Sequence, residues 1–200
     1  MARVVSKKTA ARATPANRLR IIGGRWRGAP IVFPPVEAVR PSPDRVRETL
    51  FNWLQSHVLA ARCLDLFAGS GALGFEALSR GAAQVTFVDR EPQLARHLKQ
   101  TLERLGSAAG AVFTEDARRF LQRPAHPFDI VFLDPPFASG DMLQEVCNAL
   151  AHGWLADEAW VYIECPADAA LPLTPHGWTV HRSRRAGQVG YHLLSVRTPS

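Results

Sequence analysis

The 200-residue chain is poor in cysteine. Cys63, Cys147 and Cys165 stand far apart with no Cys-x-x-Cys pair, so neither a disulfide framework nor a zinc site is laid out. The seven histidines form no His-Glu-x-x-His, and no metal centre is expected. No apolar run approaches the ~20 residues of a membrane span. The N-terminus has no apolar core of the kind a signal peptide carries, which predicts a cytoplasmic protein with no membrane partner. Acids are scarce in one place. Residues 1–47 hold eleven Lys and Arg against Glu37 and Asp44, a balance of +9. The other 153 residues hold 13 bases against 16 acids, a balance of −3. A positive field confined to one quarter of the chain suits a polyanionic partner.

Residues 1–17 are basic, Ala-rich and aperiodic, and are expected to be a disordered tail. Two short strand candidates follow, residues 18–22 and 31–33. Gly23-Gly24, Arg25-Trp26-Arg27 and Gly28-Ala29-Pro30 lie between them, which reads as a β-hairpin with the Gly pair or the Arg-Trp-Arg segment at its tip. An extension over residues 18–40 would present Arg18, Arg20, Arg25, Trp26, Arg27 and Arg40 to RNA, arginines to phosphates and the indole to a base. The alternative for Trp26 is that it packs the hairpin onto the main domain. A helix begins near Asp44 after Arg40-Pro-Ser-Pro, with Val46, Leu50, Trp53 and Leu54 on its buried face. Arg45 and Arg47 occupy its first turn, where the helix dipole disfavours cations. They join the RNA-facing candidates.

From there to residue 200, strand and helix alternate. Strands are expected at 63–67, 84–88, 111–113, 129–133 and 159–163, and an antiparallel pair at 179–182 and 189–196. Helices are expected at 71–79, from Pro92 to Gly106, after Asp116, and at 141–152. Alternation of this kind specifies an α/β domain over residues 41–200, built on a mostly parallel sheet of seven strands.

Two stretches carry chemistry. Asp129-Ile-Val-Phe-Leu-Asp134-Pro135-Pro136-Phe137 reads as a buried parallel strand that prolines terminate. Asp134 therefore sits at the carboxyl end of a central strand, where open α/β sheets bind ligands. The prolines stiffen the loop, and Phe137 offers a flat face beside a carboxylate. An acceptor next to a stacking ring suits the exocyclic amine of a nucleobase. Asp65-Leu-Phe-Ala-Gly69-Ser-Gly71-Ala-Leu-Gly74 joins an earlier strand to its helix, and its glycines allow close approach of a ligand. Gly69-x-Gly71-x-x-Gly74 with Asp89 about 20 residues on also fits a dinucleotide fingerprint, so an NAD-dependent oxidoreductase is a rival reading. Phe75-Glu76 stands where a P-loop needs Lys-Ser/Thr, and Ala68 and Ala72 replace the glycines of a nucleophile elbow.

Asp134-Pro-Pro-Phe137 is similar to the [Asn/Asp/Ser]-Pro-Pro-[Tyr/Phe] motif of methyltransferases acting on exocyclic amino nitrogens, and Asp65-x-Phe-x-Gly-x-Gly71 resembles motif I of class I methyltransferases. Arg20-Ile-Ile-Gly-Gly-Arg-Trp-Arg-Gly28, Asp44-Arg-Val-Arg-Glu-Thr-Leu-Phe-Asn-Trp53, Leu64–Gly74, Phe132–Phe137 and Gly153-Trp-Leu-Ala-Asp-Glu158 occur in that order. In this the chain resembles the RsmD family of bacterial 16S ribosomal RNA (guanine-N2)-methyltransferases over about residues 18–196. Ser42 departs from the Thr common there, and the tail before Arg18 is distinctive. The resemblance implies a Rossmann-like fold, S-adenosylmethionine as methyl donor, and guanine 966 of 16S rRNA as target, in an assembling small subunit. It implies cofactor contacts from Asp65, Phe67, Ala68, Gly69, Ser70, Gly71, Asp89, Arg90, Asp116 and Ala117. Catalysis would fall to Asp134, Pro135, Pro136 and Phe137, with no metal, in a monomer. A DNA adenine-N6 methyltransferase shares the central motif, but it needs a target-recognition domain for which the chain has no room. A non-catalytic RNA-binding module would not need Asp65, Gly71 and Asp134.

Overall fold

The computed structural model describes residues 17–36, 42–136 and 141–197. A hairpin of β1 (Asn17–Arg20) and β2 (Pro30–Phe33) precedes α1 (Asp44–Trp53). Then come β3 (Arg62–Asp65), α2 (Ala72–Ser79), β4 (Gln84–Asp89), α3 (Pro92–Arg104), β5 (Gly110–Thr114), α4 (Ala117–Phe120), β6 (Phe128–Leu133) and α5 (Met142–Leu150). β7 (Leu155–Pro166), β8 (Trp178–Ala186) and β9 (Val189–Arg197) close the chain. Asn17, expected in the tail, opens β1, and residues 1–16 lie outside the described residues.

The seven strands β3 to β9 form one sheet in the order β5-β4-β3-β6-β7-β9-β8. β5, β4, β3, β6 and β7 run parallel, and β9 enters antiparallel between β7 and β8. The chain steps outward from β3 to β5, then crosses back to β6 on the other side of β3. The order thus reverses between β3 and β6, whose carboxyl ends carry Asp65 and Asp134. Such a switch point leaves a crevice between helices that depart in opposite directions.

Residues on each central strand alternate between two cores, as the pleat requires. Cys63, Ile130, Phe132 and Tyr162 face a layer made by the hairpin and α1 to α3. Leu64, Val131, Leu133, Val161 and Ile163 face α4, α5 and Trp154. The hairpin has no core of its own, since Leu19, Ile21, Ile31 and Phe33 pack into the first of these two.

Polar contacts lock the hairpin in place. Glu76, fully buried on α2, accepts from Ile22 N and Gly23 N at 2.8 Å each and from Arg80 Nε at 2.7 Å. Ser79 Oγ donates to the Gly23 carbonyl at 2.6 Å and accepts from Trp26 N at 3.0 Å. Gly24, at φ +74, sits so close to the Ser79 carbonyl that a Cβ would lie 1.9 Å from its oxygen. Only glycine permits that approach.

Candidate active site and nucleic-acid interface

The loop after β3 is held open by carboxylates and a histidine. Asp89, at the end of β4, accepts from Gly69 N at 2.7 Å and Glu91 N at 2.8 Å through different oxygens. Asp65, 2% exposed, accepts from Gly74 N at 3.0 Å, at the amino end of α2. Gly71 caps that helix at φ +79, and a Cβ there would lie 2.4 Å from the Phe75 ring and 2.6 Å from Leu98. Gly74 serves packing, since its Cβ would meet the Phe87 ring at 2.2 Å. Buried His97 on α3 faces the Ser70 carbonyl with Nε2 at 3.2 Å and Thr101 Oγ1 with Nδ1 at 3.5 Å. Facing a carbonyl, Nε2 carries the proton. Burial lowers the pKa of this imidazole, which keeps it neutral. His97 escaped the sequence reading because it stands on a helix remote from every motif.

The residues expected to bind cofactor lie at or just beyond the carboxyl ends of the neighbouring strands β3, β4 and β5. Asp65 ends β3 and Phe67, Ala68, Gly69, Ser70 and Gly71 make the loop that follows it, while Asp89 ends the neighbouring strand β4. Asp116 caps α4, its Oδ1 accepting from Arg118 N at 3.0 Å, with Ala117 buried behind it. Arg90 is exposed and pairs with Glu91 at 3.7 Å, outside this set of contacts.

Burial raises the Asp65 carboxyl to about 7, the Gly74 N–H opposing and the charge of Asp89 adding to the rise. The folded protein then binds a proton that the unfolded chain has already released above about pH 4. This carboxyl accordingly subtracts stability as pH rises from about 4 through 7. Asp65→Asn, which keeps an acceptor for Gly74 N, should raise stability at pH 8 by about 1–3 kcal/mol and leave it unchanged at pH 4. Thermal melts of both proteins at the two pH values check this, and a gain equal at both would refute the burial argument.

Asp134 leaves β6 across the crevice from this loop. Pro135 is buried and Pro136 exposed, while Phe137 lies outside the described residues. The Asp134 carboxyl has company that the sequence did not disclose. Ser42 Oγ lies 3.4 Å from Asp134 Oδ2 and donates to Glu164 Oε1 at 2.6 Å. The Tyr162 hydroxyl donates to the same Glu164 oxygen at 2.8 Å. Burial chiefly, then the charges of Glu164 and Asp65, push the Asp134 carboxyl well above the usual range. An open groove lined by His57, Asp129, Glu158 and Trp160 lies at the start of β6 and in the first half of β7, with none of these groups.

The basic residues divide. Arg18, Arg20, Arg25, Arg27 and Arg45 are exposed. The Arg25 guanidinium stacks 4.0 Å from the Trp26 ring centre, and Trp26 is half-buried against the core, so the packing alternative holds for part of the indole. Arg40 lies outside the described residues. Arg47, expected to face RNA, is 0% exposed. Its guanidinium donates to the Arg20 carbonyl at 3.0 and 3.1 Å and the Ser42 carbonyl at 3.2 Å, pairs with Asp44, and lies 3.7 Å from Glu76. The cation in the first helical turn therefore answers internal acceptors, not an external anion. A second exposed basic set escaped notice: Arg182, Arg184 and Arg185 on the edge strand β8. They were hidden by a net charge of −3 summed over residues 48–200. Arg184 is in register with Tyr191, which is in register with Glu164, so its backbone lies two strand spacings, roughly 10 Å, from the Glu164 backbone.

Residues 19–195 match the family described as Conserved hypothetical protein 95. The ribosomal RNA small subunit methyltransferase D of Escherichia coli is 46% identical over 179 residues, 89% of this chain and 90% of that protein. The chain belongs to the RsmD family. The Haemophilus influenzae member is 42% identical over 181 residues, 88% of this chain and 93% of its own. A solved Escherichia coli chain named as a methyltransferase superposes with a TM-score of 0.84 at 44% identity, covering 92% of this chain and all of that one. The RsmD pattern thus spans the hairpin, the glycine loop and the Asp134 turn together. Among the described residues, no helix is long and apolar enough to cross a membrane, and no cluster of His, Cys, Asp and Glu is arranged to hold a metal ion.

Proposed function

We propose that this chain transfers a methyl group from S-adenosylmethionine to the exocyclic N2 amine of a guanine in 16S ribosomal RNA, by family resemblance guanine 966. The observation that carries the reading is the placement of Asp134-Pro135-Pro136 beside the Asp65–Gly71 loop at the switch point of the sheet. The substrate would be an assembling small subunit, met in the cytoplasm by a monomer.

The residues of the crevice fit the cofactor. Gly71 makes the turn into α2 at φ +79 with its Cβ direction filled by Phe75 and Leu98, so the loop backbone before it is held against the core. Asp89 keeps lone pairs on both oxygens for ribose hydroxyls, and Asp116 has Oδ2 free of its capping bond for an adenine amine. When bound, S-adenosylmethionine supplies an electrophilic sulfonium methyl. The chain does the rest by positioning. A guanine splayed from an RNA loop would be held with its amine at Asp134 and the Pro135 carbonyl. The N2 lone pair is delocalised into the ring, and two acceptors for its N–H bonds favour a geometry that frees it. Holding both partners in line supplies much of the rate. Asp134 takes the proton that the methylated nitrogen sheds.

Incubation with methyl-labelled cofactor and, in parallel, 16S rRNA, partly assembled subunits, and DNA tests this. Label in a guanine of the RNA arms supports it, and label in DNA adenine alone supports the rival. A wild type that binds NADH and ignores the methyl donor would restore the oxidoreductase.

Phosphate contacts release counterions, so log K falls by about 0.7–0.9 per contact per log unit of salt. Arg25→Ala with Arg27→Ala should weaken RNA binding and flatten the salt slope by about one to two units. Trp26→Ala should cost affinity with little change in slope, because stacking releases few ions. Affinity measured against salt decides. A slope unchanged in the double variant would make this a solvated basic surface.

A further inference from the structure

Leu133 and Ile163 are register partners on the parallel strands β6 and β7. Asp134 and Glu164 follow them by one residue each, so both carboxyls emerge at the same level of the sheet. Ser42 reaches in before α1 and bridges them, 2.6 Å from one and 3.4 Å from the other. Its own carbonyl accepts from buried Arg47 at 3.2 Å, which fixes the segment. Glu164 is 3% exposed, and its Oε1 takes hydrogen bonds from Ser42 and from Tyr162, which is itself fully buried. Among the described residues, no Lys, Arg or His forms an ion pair with either carboxyl. The other titratable groups facing the pair are Asp65 on β3, Tyr191 across from Glu164 on β9, and Cys165. All three are acids, and buried Arg47, which bonds the Ser42 carbonyl, has its ion pairs with Asp44 and Glu76 and none with either carboxyl.

We propose that Glu164 is a positioning residue for Asp134: bridged by Ser42, the two carboxyls share one proton at rest, and once the pair has released it to solvent Asp134 is a stronger base toward the target amine than a lone carboxylate would be. The inference rests on the methyltransferase reading above. Two close carboxylates without a cation cannot both ionise cheaply, and their proton leaves in steps belonging to the pair. Glu164, accepting two hydrogen bonds, is the better anion, so the proton resides mainly on Asp134 until the pair loses it. Burial raises both groups. In the transfer step the N–H bond of the methylated amine breaks with its electron pair left on nitrogen, and an O–H bond forms on Asp134. Proton transfer to a base whose pKa approaches the working pH is more favourable than to an ordinary carboxylate.

Glu164→Gln keeps an acceptor for Ser42 and Tyr162 and removes the charge. Carboxyl carbon NMR of the folded protein should show Asp134 ionising at least about one pH unit lower in the variant than in the wild type. The acidic limb of the kcat profile should move down by the same amount, with KM for the methyl donor within about twofold. An Asp134 titration identical in the two proteins overturns the proposal, whatever the rate does. Ser42→Ala and Ser42→Thr give a second route if the glutamine variant does not fold. The threonine hydroxyl should retain the coupled titration and alanine should lose it; coupling intact in alanine overturns the bridging role. The NMR titration needs no methyl transfer. A wild type that transfers nothing to RNA would therefore sink the functional reading while leaving the test of the pair intact.

Discussion

Asp134→Ala is expected to lower kcat for methyl transfer by about 10³-fold or more while the protein remains folded. The variant loses a general base, typically 10²–10⁴ in rate, together with an acceptor that orients the amine. Stability should not fall with it. Asp134 follows the last residue of β6, and the ladder from β6 to β7 ends at Leu133. Its carboxyl is disfavoured by burial and by the charges of Glu164 and Asp65, and only the long contact to Ser42 favours its ionised form. Removing a partly buried group whose ionised form is disfavoured should leave the melting temperature equal or higher at pH 8. Cofactor affinity should stay within a few fold, since Asp89, Asp116 and the glycine loop are untouched. Single-turnover rates, calorimetric titration and a thermal melt on one preparation measure all three. If Asp134→Ala melts well below the wild type or keeps most of its activity, the carboxyl is a structural strand end and the catalytic assignment fails.

Features set by local chemistry were legible in the sequence, and features set by crossings between distant segments were not. Alternating strand and helix patterns, proline after β6 and the glycines after β3 located the switch point, because each acts within a few residues of itself. The glycine loop alone left a dehydrogenase open. The match over residues 19–195 removed that ambiguity. β7 extends over Leu155–Pro166, although only residues 159–163 read as a strand, because Asp157 and Glu158 interrupt its apolar pattern on an exposed stretch. Arg47 shows the limit most plainly. Arg45, two residues earlier, is basic and exposed, yet Arg47 reaches a carbonyl 27 residues earlier and a carboxylate 29 residues later, and no local rule reveals those two partners. Glu164 was passed over for the same reason. In sequence it is one acid at the end of a strand, and its meaning comes from Ser42, 122 residues away.

Glu76 should prove the most costly single side chain to remove. It is fully buried on α2, and one carboxylate serves Ile22 N, Gly23 N and Arg80 Nε, with Arg47 Nη1 at 3.7 Å. Truncating it strands two backbone N–H groups and deprives the wholly buried Arg47 of one of its two anions, leaving Asp44, whose side chain is 75% exposed. Breaking a buried pair on one side typically costs 3–5 kcal/mol. For a domain of this size that is a fall of about 10 °C in Tm. The loss should be directional. The hairpin leans on Glu76 and Ser79, so it should loosen first, and RNA affinity should drop more than cofactor affinity. Glu76→Gln keeps one acceptor oxygen and should lose roughly half as much stability as Glu76→Ala. The decisive measurement is a double-mutant cycle by calorimetry. Arg47→Met in the Glu76→Ala background should cost less than in the wild type, because the buried cation is already short of a partner. Costs that simply add would mean that Arg47 and Glu76 are independent, and that Asp44 and the carbonyls alone anchor the guanidinium.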